Sequence, residues 1–159
     1  MWQKLVLAAL IVITTHAYAG ADDVLVDNVW LRESVPGQKS ASLQLNLTSI
    51  KHARLIAVST PLSAAVKIQR LYPERGKVKA HDVGSLRLPA RHTVVFGDKD
   101  FTLMLTGLRK QLNVGERVPV TLTVRLADSR TIKVNTEAEV KPLSLSYKHY
   151  QGKEIQDHR

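Results

Sequence analysis

Sulfur is scarce in this 159-residue chain: it has no cysteine and two methionines, Met1 and Met104. Met104 lies in the stretch FTLMLTGL, residues 101–108. A thioether is a soft, polarizable donor that suits a soft metal cation, and imidazole nitrogens are the natural co-ligands. His81 and His92 are the histidines that a fold can most readily bring towards it, and His149 and His158 lie in the last segment. Each has a plainer reading as a solvent-exposed imidazole, because a metal centre needs several convergent ligands. Met104 also has one, since single exposed apolar side chains are common.

Other chemistries are poorly represented. Without cysteine there is no thiol nucleophile, CxxC redox pair or thiolate metal site. The sequence has no HExxH, no phosphate-cradling glycine loop and no nucleophile elbow, and no carboxylate pair stands out on one strand face. These observations point away from an enzyme. Charge is the second conspicuous feature. The formal net charge is +9, and between residues 67 and 91 seven cations stand against Glu74 and Asp82. They are Lys67, Arg70, Arg75, Lys77, Lys79, Arg87 and Arg91. Such a run is either a solvated, solubilising face or a docking surface for an acidic partner or anionic membrane. Few aromatics interleave with the cations, so nucleic acid is not the expected partner.

The elements that must position these residues are strands. Apolar and polar residues alternate through ASLQLNLT (41–48) and again from Val118 to Leu126, each marking a strand with one buried face. Further strands are expected at 24–32, 54–59, 65–71, 77–81, 93–96, 101–106 and 131–134. Pro/Gly/Asp-rich turns separate them, such as Pro36-Gly37, Pro73 to Gly76 and Gly97-Asp98. No stretch of helical period competes, so the expected fold is a single-domain, all-β antiparallel sandwich. Within 101–106, Phe101, Leu103 and Leu105 should face the core. Met104 then shares the outer face with Thr102 and Thr106. The domain is expected over 22–140, with a polar tail over 141–159.

The opening MWQKLVLAALIVITTHAYAGADD has a basic residue, Lys4, an apolar run from Leu5 to Thr15 and the box Ala17-Tyr18-Ala19. That is the grammar of a secretory signal peptide, residues 1–19, cleaved after Ala19 or Ala21. The run is too short for a membrane span, and no later stretch is apolar enough for one. An exported domain without disulfides is expected in a bacterial periplasm.

Three segments carry a family resemblance. They are Val29-Trp30-Leu31-Arg32 with Val35-Pro36-Gly37-Gln38, then Leu86-Arg87-Leu88-Pro89-Ala90, then Leu103-Met104-Leu105-Thr106-Gly107-Leu108 continuing to Val118-Pro119-Val120-Thr121-Leu122. Together they resemble the periplasmic PCu(A)C copper chaperone family. The resemblance implies a cupredoxin-like, immunoglobulin-like sandwich, Cu(I) as cargo, and a copper-transfer or oxidase-assembly protein as partner. The family's copper motif is H-x10-M-x21-H-x-M. Aligned on Met104, its other three positions fall on Gln69, Ala80 and Thr102. Two expectations follow. One is a copper-handling protein with a degenerate site, in which Met104, His81 and His92 give coordination that is weak or shared with a partner. The other is a metal-free interaction module that docks an acidic partner through Lys67, Arg70, Lys77, Lys79, Arg87 and Arg91.

Overall fold

Wherever large aliphatic residues recur at every second position, the chain forms a strand that buries them. Leu43, Leu45 and Leu47 are at most 1% exposed, while Ser42, Gln44 and Asn46 between them face outwards. The computed structural model describes residues 23–143. Their ten strands are β1 (Val24–Arg32), β2 (Ser40–Ser49), β3 (Ala53–Ser59), β4 (Ser63–Glu74), β5 (Lys77–Asp82), β6 (Leu86–Leu88), β7 (Thr93–Phe96), β8 (Phe101–Leu108), β9 (Arg117–Leu126) and β10 (Thr131–Lys141). No helix is present among the described residues. The signal peptide and the tail histidines His149 and His158 lie outside them.

The strands are hydrogen-bonded in the order β5-β4-β8-β7-β2-β1-β10-β9-β3-β6, with β8 also pairing β2. The array folds over on itself as a cupredoxin-like β-sandwich whose end strands, β5 and β6, are not paired with each other. Leu103 and Leu105 of β8, the β2 leucines, Leu122 and Val124 of β9 and Leu55 of β3 belong to one buried core. Burying such a set is the dominant favourable contribution to an all-β fold without disulfides.

Three features depart from the expected pattern. β6, which is not among the expected strands, is a strand of three residues, too short to show a period, and is held by its pairing with β3. β10 runs on to Lys141, because Ala138 and Val140 continue the buried face beyond Val134. The sheet is also mixed rather than purely antiparallel, since β1 pairs β10 in parallel at Trp30–Glu139, Leu31–Val140 and Arg32–Lys141. A bulge between Asp27 and Trp30 makes this pairing accessible, with Asn28 at φ 50°, a left-handed conformation that asparagine tolerates. Beyond the strand ends, Glu33 N–H donates to the Lys141 carbonyl at 2.9 Å. Leu143 N–H donates to Glu33 Oε1 at 2.9 Å.

Candidate functional site

β4 lies between β5 and β8, and the register decides which side chains meet. Lys67 pairs with Met104, Gln69 with Thr102, and Leu71 with Ala80. Met104 in turn pairs with Ser42 of β2. Side chains alternate faces along a strand, so Lys67, Gln69, Ala80, Asp82, Thr102 and Met104 share the outer face. On the opposite side Ile68, Leu103 and Leu105 are buried. The four positions of the aligned copper motif therefore do fall on one face of three neighbouring strands.

Two of the four, Gln69 and Thr102, are already hydrogen-bonded. Asp82 binds Lys67 Nζ through Oδ2 at 2.8 Å and accepts from Gln69 Nε2 through Oδ1 at 2.7 Å. These two bonds hold the Asp82 pKa below the ordinary carboxylate value, against a smaller upward push from burial. Thr102, 7% exposed, shares a 3.1 Å hydrogen bond with Ser42 Oγ. Ser42 Oγ donates onward to the Gln44 amide oxygen at 3.1 Å, and the Gln44 nitrogen donates to the carbonyls of Phe96 and Gly97 at 3.1 and 3.2 Å. Met104 is half-buried at the edge of this network.

Cu(I) does not fit this donor set. One thioether is present, while the amide and hydroxyl oxygens are hard donors and Ala80 supplies none. An ammonium, Lys67, stands directly across from Met104, and it repels a second cation there. His81 does not join Met104: β5 pairs regularly with β4 from Lys77 to Asp82, so no bulge turns it round. It pairs with Arg70 on the other face, its ring edge-on to Tyr72 at 5.3 Å. His92 is also remote. Its neighbour Thr93 pairs with Thr48 whereas Met104 pairs with Ser42, so the two levels are roughly 20 Å apart along β2. Among the described residues no group of three or more His, Cys, Asp or Glu side chains is placed to hold a metal ion.

The basic segment is not a single face, because it crosses two hairpin faces and then changes edge. Lys67 and Lys79 are ion-paired, with Asp82 and Glu74, each at 2.8 Å. Arg70 lies over the rings of Tyr72 at 5.1 Å and Phe101 at 5.9 Å. Arg75 occupies the β4–β5 turn at φ 50°, beside Lys77. Arg87 belongs to β6, at the far end of the strand order, and Arg91 follows it at φ 58°. Asp82, which organises the outer-face network, reads in the sequence only as a charge subtracted from the basic run. Its parity with Ala80 on an edge strand was the signal available.

Comparison with known proteins agrees with this geometry. Residues 24–136 match the family described as "LpqE-like: Putative lipoprotein LpqE-like". The protein described as "Putative lipoprotein Lxx21020" of Leifsonia xyli subsp. xyli is 25% identical over 133 residues, covering 83% of this chain and 78% of that one. Among solved structures, the apo PCuAC domain from PmoF1 superposes with a TM-score of 0.61 at 19% identity, over 76% of this chain and 94% of that one. The Cu(I) form of DR1885 from Deinococcus radiodurans gives 0.55 at 30% identity, over 77% and 83%. The copper-bound PCuAC domain from PmoF2 gives 0.55 at 17%, over 75% and 94%. With a family match over most of its length and the sandwich of these domains, the chain belongs to the LpqE-like family and is a divergent member of the PCuAC fold.

Proposed function

We propose that this protein is an exported, non-enzymatic interaction module of the bacterial periplasm, one that keeps the PCuAC sandwich and works without bound copper. The observation that carries this reading is the Lys67–Asp82–Gln69 network. A charge-assisted, hydrogen-bonded cluster engages Gln69, one of the positions where the resemblance implies a soft ligand, and sets an ammonium across from Met104, another. The partner is an acidic protein, docked by the cations of the β4–β5 hairpin that have no carboxylate partner among the described residues. These are Arg70, Arg75 and Lys77, with the exposed Tyr72 among them. Lys67 and Lys79 contribute less, being neutralised locally, and Arg87 and Arg91 lie on another edge.

A second reading rests on Met104. Its thioether is retained on the outer face, so a partner that brought its own soft ligands would complete a shared Cu(I) site during transfer. An anaerobic Cu(I) competition against a chromophoric chelator separates the two. The wild type is expected to leave copper with the chelator. Gln69→His, Ala80→Met and Thr102→His combined should take up about one equivalent, because they restore four soft or borderline donors on one face. Uptake of one equivalent by the wild type, lost in Met104→Ala, would establish the copper reading instead. Reversing Arg70, Arg75 and Lys77 to Glu should abolish a salt-sensitive partner association under the first reading and leave copper transfer unchanged under the second.

A further inference from the structure

Three arginines stand side by side on the outer face of the other half of the sandwich. Arg87 of β6 pairs with Arg54 of β3, and Arg54 pairs with Arg125 of β9. All three are exposed, while their strand neighbours Leu88, Ala53, Leu55, Val124 and Leu126 are buried. Directly paired positions lie about 5 Å apart, so the row is roughly 10 Å long. Like charges directly opposite one another destabilise a sheet, and cross-strand pairs favour opposite signs.

Other charged rungs differ from this row: Arg117 stands opposite Glu139 and Glu74 opposite Lys77, while the like pair Arg32 and Lys141 shares the Trp30 ring, at 6.0 and 5.2 Å from its centre. Among the described residues, no carboxylate lies within ion-pair distance of Arg54, Arg87 or Arg125. Asp128, the carboxylate nearest to Arg125 in sequence, is already engaged by Arg130. Lys133, exposed on β10 and paired with Thr123, adds a further cation of the same outward parity as Arg125.

The row lines a depression that also includes His52 and Ser129. Two of its members are held in place. Arg54 Nη1 donates to Ser85 Oγ at 2.9 Å. The Ala90 N–H donates to His52 Nδ1 at 3.4 Å, which leaves the ring proton of the neutral tautomer on Nε2 as a further donor.

We infer that this depression binds a phosphate group. Guanidinium forks match phosphate oxygens bidentately, and three of them on adjacent strands suit a compact anion of more than one charge. An acidic peptide fits less well. Along an extended chain, carboxylates on one face repeat every 6.6 Å or so, wider than the rung spacing of about 5 Å. The inference is independent of the hairpin and of Met104, since none of its residues belongs to β4, β5 or β8. A free phosphate and a phospholipid headgroup offer the same chemistry.

The test uses the full exported chain and two probes at matched ionic strength. One is sodium pyrophosphate, followed by amide NMR shifts. The other is co-sedimentation with phosphatidylglycerol/phosphatidylcholine vesicles, against phosphatidylcholine alone. Arg54→Gln and Arg125→Gln should each weaken binding about tenfold. Arg117→Gln, which changes the ion-paired arginine on the same face of β9, should leave it unchanged. Pyrophosphate binding with shifts around His52, Arg54, Arg87 and Arg125 identifies a soluble phosphate. Binding to the anionic vesicles alone identifies a lipid headgroup. The inference is overturned if neither probe binds or if all three variants behave alike. It is also overturned if a poly-glutamate peptide binds at Arg54 more tightly than either probe.

Discussion

Asp82 takes Lys67 on one carboxylate oxygen and Gln69 on the other, and the Lys67 bond is the larger reason that its pKa lies below the ordinary 3.8. The sign of the pH effect follows. A lowered folded-state pKa means a contribution that is fully present above 3.8 and lost as pH falls through the lowered value. Glu116 and Asp128 are lowered as well, chiefly by hydrogen bonds from Asn113 and Arg130, so acid weakens the fold at three places. The Asp82 part is isolated by following its carboxyl carbon through a pH titration. Its midpoint should lie below 3.8 in the wild type and rise towards 3.8 in Lys67→Met. A wild-type midpoint at or above that value would mean the ion pair does not hold in solution. At this scale the sequence was partly legible. The strand parity of Met104 followed from its alternation with Leu103 and Leu105, because burial imposes a period of two. That Lys67 stands opposite it was not, since nothing local fixes how one strand slides against another.

Register is also what makes the arginine row. Arg54, Arg87 and Arg125 lie far apart in the chain, each unremarkable on its own strand, and only the β6-β3-β9 pairing makes them neighbours. The main strands could be read from alternation and turn residues, whereas β6 is too short to carry a period and β10 continues on the small Ala138. Elements are tuned at single backbone positions too. Gly107 in β8 has φ +66°, and a Cβ there would lie 2.8 Å from the Ala64 Cβ. Its conformation swings the chain so that Leu108 enters the core while its N–H reaches the Lys39 carbonyl at 3.0 Å. Gly107→Ala should therefore cost about 1–3 kcal/mol, read as a fall in the urea midpoint at unchanged slope. A change within about 0.5 kcal/mol, as at an ordinary surface site, would refute the close approach. The free edge of β5 is handled differently. All six of its residues are exposed, and Lys77 and Lys79 discourage a second sheet from adding there.

Across the whole molecule, stability rests on one aliphatic core shared by both halves of the sandwich, and the surface sites are built on its outer faces. Leu103 is fully buried between the half-exposed Met104 and the hydrogen-bonded Thr102. Leu103→Ala should lower stability by about 2–5 kcal/mol, whereas Met104→Ala should cost far less, in equilibrium denaturation of the same chain. Equal losses would place Met104 in the core after all. The parallel pairing of β1 with β10 gives the molecule a mechanical character. A force applied at Asp23 and Leu143 drags these two strands past each other along their length. Their rungs, the Glu33–Lys141 bond and the Lys141 ammonium, 5.2 Å from the Trp30 ring centre, then resist together rather than one after another. Tethered at one end and pulled at the other, the domain is loaded in shear, the direction in which a sheet is hardest to tear.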